Sequence, residues 1–374
     1  MSEQASVADL AAAVATVCDR EFGTQQVRHD LTSAGQEVHS VAAAKLLADH
    51  GWLGIGIPPE YGGGGGSLTE LSAFLEAAWY GKAPIGGYPT SAIVGAWYSR
   101  FGSGEQKRTI LGGIAAGRVE ALALSEPDSG SDVGAARCRA RRAEPGYVLT
   151  GTKTWCSNVH LADHVLVLAR TGGDGVGGLS MFCVPTDTPG IEVRPIPSLA
   201  GRELNDLVLT DVRLPTDALV GAEGQGWLQV MSGLVFERLV IASIMLGLAR
   251  RALDDTVGYV RQRSQFGQPV GSFQSVRHRL ADLATEVECC RLLVRDTIGD
   301  GTARTVSPHR ASMVKLKVTE TARRVVLEGS QLMGAAGVAV EYDMERQMRL
   351  ALLSTIYGGT SEIQRDIVGQ SLGL

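Results

Sequence analysis

Residues Leu122–Asp132 read Leu-Ala-Leu-Ser-Glu-Pro-Asp-Ser-Gly-Ser-Asp, and they stand near the start of a β-rich central block. The block runs from about 118 to 228 and contains short apolar and β-branched runs at Tyr147–Thr150, His164–Leu168 and Ser180–Val184. Gly, Pro and Asp turns separate these runs. Short strands at this spacing are typical of a small all-β domain.

Helical patterns flank the β-rich block on both sides. Ala-rich runs at Val41–Ala48 and Leu71–Ala78 have a helical period, and the glycines Gly62–Gly66 between them predict a loop. Helical patterns return from Trp227 onward, and the first of them predicts a long helix over about 229–263. We therefore predict three domains: helical over 1–117, β over 118–228 and helical over 229–374.

Composition excludes several classes of protein. The chain has 374 residues, is 44% hydrophobic and 20% charged, and carries a net charge of −5 without a basic stripe, so nucleic acid is not an expected partner. Its longest strongly apolar stretch, Leu239–Ala249, is shorter than the roughly 20 residues that span a bilayer. The N-terminus lacks the pattern of a signal peptide, and the six cysteines form no CxxC pair. We expect a cytoplasmic protein with no membrane partner.

Common catalytic motifs are absent from the sequence. Gly146–Lys153 nearly spells a phosphate-binding loop, but Thr152 stands where the lysine is required. No G-x-G-x-x-G follows a strand, and neither HExxH nor G-x-S-x-G occurs. The sequence therefore predicts no metal site, no Rossmann site and no serine nucleophile.

Five segments, in order along nearly the whole chain, resemble the signatures of the acyl-CoA dehydrogenase family. They are Leu122–Asp132, Gly151–Asn158, Arg263–Gln274, Gln331–Gly337 and Tyr357–Arg365. The resemblance implies an α+β fold with a helical N-terminal domain, a central small β-barrel or β-sheet domain and a C-terminal four-helix bundle. It also implies FAD as cofactor, an acyl-CoA or carrier-protein-bound acyl thioester as substrate, an electron-transfer flavoprotein as partner, and a homotetramer built as a dimer of dimers.

The resemblance also assigns residues to the flavin. It places Leu124, Ser125, Trp155 and Ser157 around the isoalloxazine ring, where hydroxyls stabilise the charge that develops on reduction. Arg263 is expected to fork onto the pyrophosphate of a neighbouring subunit's flavin. The further cofactor-binding residues that it implies are Leu122, Gly130, Ser131, Gln265, Phe266, Phe273, Gln274, Gln331, Gly334, Thr360 and Glu362.

The catalytic base is displaced relative to many members of the family. Their glutamate stands between the Tyr and Gly of the last signature, where this chain has Gly358. In the isovaleryl-CoA dehydrogenase-like and long-chain-type branches the base comes instead from the helix after the β domain, and Glu237 matches it. We expect Glu237 to remove the α-proton while apolar neighbours raise its pKa. The alternative is a surface glutamate on an early helical turn.

Substrate contacts are implied around these two positions. Gly358 is expected to supply a backbone N–H to the thioester carbonyl and, lacking a side chain, to clear space beside the α-carbon for branched or bulky acyl groups. The implied substrate-binding residues are Ser131, Leu234, Arg238, Tyr357 and Gly359.

Two departures from the family pattern, Leu350 after Arg349 and Ala335 after Gly334, indicate a divergent member. Two alternatives to dehydrogenation stay open at this point. One keeps the flavin fold but acts as an enoyl-thioester reductase, oxidase or monooxygenase. The other is a non-catalytic subunit that binds a partner or an acyl chain.

Overall fold

The computed structural model describes residues 3–199, 201–299, 303 and 305–374. Helices form both ends of this part of the chain, and a β-sheet forms its middle, as the sequence predicts. By compactness the chain divides into two units. The helical unit comprises residues 1–29, 67–83 and 235–374, and the β unit comprises 30–66 and 84–234.

Within the described residues, the sheet is preceded by the α-helices α1 (Glu3–Phe22), α2 (Gln25–Leu31), α3 (Val41–Asp49), α4 (Leu68–Tyr80), α5 (Tyr88–Phe101) and α6 (Gly104–Ala115). Gly62–Gly66 lies outside them, as predicted. Local sequence fixes two of the helix starts. Ser67 and Glu70 form a reciprocal capping box at α4, and Ser103 and Gln106 do the same at α6.

The β unit contains strands β1 (Val119–Ala123), β2 (Arg139–Ala143), β3 (Gly146–Lys153), β4 (Ala162–Arg170), β5 (Leu179–Pro185), β6 (Ile191–Pro195), β7 (Asn205–Pro215) and β8 (Leu219–Val220). The three runs predicted as strands lie inside β3, β4 and β5. The strands form one sheet in the order β6-β7-β3-β2-β4-β5-β8, and β1 pairs with β4 in parallel. Side chains such as Leu149, Val167 and Phe182 form its core and are fully buried.

In the described part of the chain after the sheet, the α-helices are α7 (Gly226–Gln262), α8 (Gln274–Ile298), α9 (Pro308–Met333), α10 (Met344–Ser354) and α11 (Ser361–Ser371). A short hairpin of β9 (Ser264–Gln265) and β10 (Gln268–Pro269) lies between α7 and α8. Helix α9 packs against α8, α10 and α11 and buries residues at a helical period, among them Ala311, Val318 and Ala322.

The domain boundaries at 117/118 and 228/229 stay predictions. Compactness groups α1 and α4 with the C-terminal helices, although the sequence separates them from those helices by the whole sheet. Helix α7 runs without interruption from Gly226, through residues assigned to both units. One consequence is that Leu234 and Glu237, which are close in sequence, belong to different units.

Helix α7 is, within the described residues, the one helix long and apolar enough to cross a membrane by length and composition. Of its most apolar window, 67% is buried inside the protein, and the core helices of soluble proteins can have the same length and apolar composition. In the same described part of the chain, no group of three or more His, Cys, Asp and Glu side chains is placed to hold a metal ion.

Candidate active site

The first two signature segments lie side by side in the β unit. Strand β1 ends at Ala123, and the chain continues through Leu124 and Ser125. The carbonyl of Leu124 accepts a hydrogen bond from Lys153 Nζ at 2.9 Å, and the carbonyl of Ser125 accepts one from the Thr154 amide at 3.0 Å. These contacts bring Leu124 and Ser125 next to the segment that carries Trp155.

A buried ion pair holds this arrangement. Lys153 is fully buried, and its Nζ lies 2.7 Å from Oε1 of Glu126. The Glu126 carboxylate also accepts the backbone amides of Arg137 at 2.7 Å and Cys138 at 2.9 Å. Burial acts to raise the pKa of Glu126, but the Lys153 ammonium and the amide donors outweigh it and hold the pKa below its ordinary value. These contacts favour the ionised form of Glu126, and the pair anchors the Leu122–Asp132 segment.

Trp155 presents a large aromatic surface to solvent. It is 57% exposed and has φ +60, whereas its neighbours Thr154 and Cys156 are buried. A left-handed backbone at a bulky residue is uncommon and marks positions where the fold imposes the conformation. The indole stands out from the sheet as a flat apolar surface, as a planar ring ligand requires.

The hydroxyl of Ser157 donates a hydrogen bond to the Glu203 carboxyl. Burial raises the pKa of Glu203 to about 7, although this hydrogen bond acts in the opposite direction. Ser157 was predicted to face the flavin, and Glu203 is a partner that sequence reasoning missed.

The remaining predicted cofactor-binding residues of the β unit lie on strand β1 and on the turn that follows. Leu122 lies opposite Leu166 in the β1–β4 pairing and is partly exposed. Ser129 closes the turn by donating from Oγ to the Asp132 carbonyl at 2.5 Å. Gly130 and Ser131 lie on this turn and are exposed.

Glu237 lies on α7 in the helical unit and is partly exposed, between apolar residues and two cations. Its carboxyl group is densely surrounded, and this burial raises its pKa above the ordinary value, while Arg238 and Lys315 act to lower it. Arg238 is buried, and its Nε has no hydrogen-bond partner among the described residues. The carboxyl therefore lies in surroundings that oppose its ionisation, although two cations lie near it.

Gly358 lies beside this carboxyl. A Cβ atom built on Gly358 would stand 3.6 Å from Glu237 Oε1, and it would overlap with Cδ1 of Ile241. This overlap corrects one expectation: the absent side chain at Gly358 does not leave open room, because Ile241 fills that space. Gly358 also has φ +64, a conformation that glycine adopts without strain.

Two buried polar side chains hold the turn that contains Gly358. Gln364 Nε2 donates to the carbonyls of Gly358 at 3.0 Å and Gly359 at 2.9 Å, and Lys315 Nζ donates to the carbonyl of Gly359 at 2.8 Å. Lys315 is a second residue that sequence reasoning missed. The sequence does indicate that Lys315 is buried, because the helical period places it on the same face of α9 as Ala311 and Val318.

Residues on either side of this turn are accessible. Tyr357 is 41% exposed. Thr360 caps α11 by accepting the Ile363 amide at 3.3 Å, and backbone and Thr360 hydrogen bonds hold the pKa of Glu362 below its ordinary value. Thr360 and Glu362 thus form a helix N-terminus, which favours anionic groups.

The β9–β10 hairpin projects an apolar tip. Phe266 is 94% exposed and touches the edge of the Phe273 ring, with ring centroids 6.4 Å apart. Arg263, Gln265 and Gln274 are exposed beside it. At the far end of α9, Gln331 and Gly334 are exposed too, and a Cβ atom at Gly334 would meet no neighbour.

The chain belongs to the acyl-CoA dehydrogenase family. Models of the family's N-terminal, middle and C-terminal domains match residues 5–118, 121–212 and 224–373. A probable acyl-CoA dehydrogenase of Bacillus subtilis is 35% identical over 338 residues, covering 88% of each chain. The mitochondrial 2-methylacyl-CoA dehydrogenase of Solanum tuberosum is 35% identical over 335 residues, covering 88% of this chain and 81% of its own.

Solved structures share the whole fold. The glutaryl-CoA dehydrogenase of Mycobacterium smegmatis in complex with FADH2 has a TM-score of 0.90 at 29% identity, covering 100% of this chain and 95% of its own. A chain of the structure described as the electron transferring flavoprotein of Acidaminococcus fermentans has a TM-score of 0.86 at 28% identity, with coverages of 100% and 98%. The prolyl acyl carrier protein oxidase AnaB has a TM-score of 0.89 at 26% identity, with coverages of 100% and 100%.

The protein is therefore an FAD-dependent oxidoreductase, and flavin-dependent dehydrogenation of acyl thioesters is the reaction of its family. The residues present fit this cofactor. Within the β unit, Trp155 offers a flat exposed ring, and the backbone of Leu124 and Ser125 is held in place by hydrogen bonds to the neighbouring segment.

Proposed function

We propose that Glu237 is the general base that removes the α-proton of the acyl thioester. The observation that carries the proposal is the 3.6 Å separation between Glu237 Oε1 and the Cβ position of residue 358. Residue 358 is where many relatives carry their glutamate, so a carboxylate from α7 reaches the same place from another element. The raised pKa of Glu237 supports the role, because a base works best when its pKa approaches the working pH.

In the proposed reaction the thioester loses its α-proton to a carboxylate oxygen of Glu237 and its β-hydrogen as a hydride, giving a 2,3-enoyl thioester. FAD, when bound, supplies the hydride acceptor. The backbone N–H of Gly358 donates to the thioester carbonyl oxygen, which acidifies the α-carbon and stabilises the developing negative charge. Leu124, Ser125, Trp155 and Ser157 hold the cofactor ring.

We further propose that the acyl group is short and branched and that CoA carries it. Relatives at 35% identity are named 2-methylacyl-CoA and isovaleryl-CoA dehydrogenases. Ile241 supplies the apolar surface beside Gly358 that would contact such a branch. An acyl carrier protein as the donor is the alternative, and the name of the AnaB enzyme is its support.

A homotetramer, built as a dimer of dimers, is the proposed assembly. The support is the hairpin tip, where Phe266 is 94% exposed in a single chain beside the exposed Arg263. Exposed aromatic residues next to arginine are typical of protein interfaces.

We also propose an electron-transfer flavoprotein as the acceptor and a cytoplasmic location. The absence of disulfides among the six cysteines, all described as free thiols, fits a reducing compartment.

The proposal is tested by following exchange of the α-proton of a saturated acyl-CoA with solvent deuterium, in holoenzyme under anaerobic conditions. The wild-type enzyme should exchange the proton. Glu237→Gln, which keeps the size of the side chain but cannot accept a proton at neutral pH, should not. Glu288→Gln, whose side chain on α8 is 54% exposed, is the matched control and should exchange normally. Exchange at the wild-type rate in Glu237→Gln would show that another group is the base.

The substrate is identified by a panel of isovaleryl, 2-methylbutyryl, butyryl, octanoyl and glutaryl thioesters, each presented on CoA and on a carrier-protein phosphopantetheine. Fastest anaerobic bleaching of the flavin by a branched CoA ester supports the proposed substrate. If a carrier-bound ester bleaches the flavin fastest, the acyl group is presented by a carrier protein and not by CoA.

A further inference from the structure

The Gly358–Gly359 turn is held through its carbonyl oxygens. Both oxygens accept from Gln364 Nε2, and that of Gly359 also accepts from Lys315 Nζ. The two donor side chains come from different helices, α11 and α9, and both are fully buried. Buried side chains inside the protein therefore hold the turn.

These hydrogen bonds matter because the turn has no stiff side chain of its own. Gly358 and Gly359 have φ +64 and +85, and glycine explores more backbone conformations than any other residue. A planar peptide unit moves as one body, so fixing successive carbonyls also fixes the amides that flank them. The peptide unit of the Gly358 carbonyl contains the Cα of Gly358 and the amide of Gly359. The position of Gly358 beside Glu237 thus depends on Gln364 and Lys315.

Charge links Lys315 to the base as well. The charged groups that shift the pKa of Lys315 are Glu237 and Arg238 on α7, Glu320 on its own helix, and Glu362 on α11. The charged groups that act to lower the pKa of the Glu237 carboxyl are Arg238 and Lys315. A positive charge near a buried carboxyl favours its ionised form.

We propose that Lys315 is a positioning residue for proton abstraction: together with Gln364 it holds the Gly358–Gly359 turn beside Glu237, and its positive charge favours the ionised form of the Glu237 carboxyl. This inference rests on the proposed role of Glu237 as the base.

A functional role of this kind explains why a lysine is buried at this position. Burial lowers the pKa of Lys315 to about 8, which means that holding its charge inside the protein is unfavourable. A methionine would fill similar volume without that penalty. Because the charged form is destabilised in the folded state, the stability cost is present below pH 8 and is relieved as pH rises from about 8 toward the value of a free lysine.

The test compares Lys315→Met, Lys315→Gln and Lys315→Arg holoenzymes by the pH dependence of anaerobic flavin reduction in single turnovers. Lys317→Met is the matched control, since Lys317 lies on the same helix with its side chain 45% exposed. Thermal unfolding and FAD content are measured for every variant to confirm that each is folded.

Removal of the charge should raise the pKa of Glu237 and move the acid limb of the profile upward by about 1 pH unit. We expect this shift in Lys315→Met and Lys315→Gln. Lys315→Met should also lose about 10-fold or more in limiting rate, since it cannot hold the turn, whereas Lys315→Gln, which can still donate, should lose less. Lys315→Arg should keep the acid limb at the wild-type pH. Lys317→Met should match the wild type in the acid limb and in the limiting rate.

An acid limb that stays in place in both Lys315→Met and Lys315→Gln would overturn the inference. Glu237→Gln is measured in the same series to separate the two proposals. If Glu237→Gln is inactive while the Lys315 variants keep the wild-type acid limb, the role of Lys315 fails alone. If Glu237→Gln keeps the wild-type rate, the base assignment fails, and the role of Lys315 fails with it.

Discussion

Glu237 Oε1 lies 3.6 Å from the point where a Cβ atom of residue 358 would stand, although Glu237 lies on α7 and Gly358 lies just before α11. Two positions that the family uses for its catalytic carboxylate therefore converge within one compact unit of this protein. Gly358 is not simply a lost base, because Ile241 fills the space that a side chain there would need. Under the proposed role of Glu237, this carboxyl and the Gly358 turn form an alternative to a glutamate at residue 358.

Moving the glutamate back to residue 358 should restore little activity. In Glu237→Gln/Gly358→Glu the new side chain meets Cδ1 of Ile241, and its backbone must adopt φ +64. A left-handed conformation costs a non-glycine residue about 1–2 kcal/mol. Adding Ile241→Ala to the pair should raise the rate of anaerobic flavin reduction. A double variant that already works at the wild-type rate would contradict this account of Gly358.

Arg263→Ala should weaken FAD retention without unfolding the protein. A charge-assisted contact to pyrophosphate is worth about 1.5–3 kcal/mol, so the dissociation constant for FAD should rise about 10- to 150-fold. Arg261→Ala is the control, since Arg261 is exposed in the last turn of α7, close to the same hairpin. The measurement is flavin content after extended dialysis, combined with sizing. Equal retention in both variants would show that Arg263 does not hold the cofactor.

Lys153→Met should destabilise the β unit and weaken FAD binding together. It leaves the buried Glu126 carboxylate without its cation, and breaking a buried pair typically costs about 3–5 kcal/mol. The control is Arg194→Ala, which breaks a pair whose side chains are both 57% exposed and should leave the stability nearly unchanged.

Urea unfolding and FAD titration separate the two effects of the Lys153 substitution. Adding Glu126→Gln to Lys153→Met should recover much of the stability, because no unpaired charge remains, while FAD binding stays weak since the Leu124 carbonyl is no longer held. Full recovery of FAD affinity in the double variant would show that the pair does not position the Leu124–Ser125 segment.

Glu203→Gln should stabilise the protein above pH 7 and not near pH 4.5. Burial raises the pKa of Glu203 to about 7, so the folded protein favours the protonated carboxyl. The cost of ionisation is therefore fully present above pH 7 and disappears as pH falls toward the ordinary value for glutamate. One pKa unit corresponds to about 1.36 kcal/mol, so a gain of about 1–3 kcal/mol is expected at pH 8. A gain that is independent of pH between 5 and 8 would contradict the assignment.

The sequence predicts the order of helices, sheet and helices because each block has its own period and its own turn residues. The alternating runs at Tyr147–Thr150 and His164–Leu168 became strands β3 and β4, and the pattern from about 229 became α7. The family signatures also gave the cofactor. The grouping of α1 and α4 with the C-terminal helices was not predictable, because packing between distant segments leaves no local period.

The ionic residues that hold the candidate site were harder to predict than the residues that line it. Lys153 stands on the inward-facing side of β3 with Tyr147 and Leu149, and Lys315 stands on the buried stripe of α9. A lysine at an inward position signals a buried, partnered cation, but the sequence does not name the partner. Glu126 and the Gly359 carbonyl are far from these lysines in sequence, and only the fold brings them within 3 Å.

The most direct test of the central claim is the rate of anaerobic flavin reduction by a competent acyl thioester in Glu237→Gln, measured by stopped-flow loss of the yellow flavin absorbance. General-base loss typically costs about 100- to 10,000-fold, and the upper end is expected here because proton removal begins the reaction. FAD content and thioester binding should be unchanged. Flavin that bleaches at the wild-type rate in Glu237→Gln would contradict the assignment of Glu237 as the base.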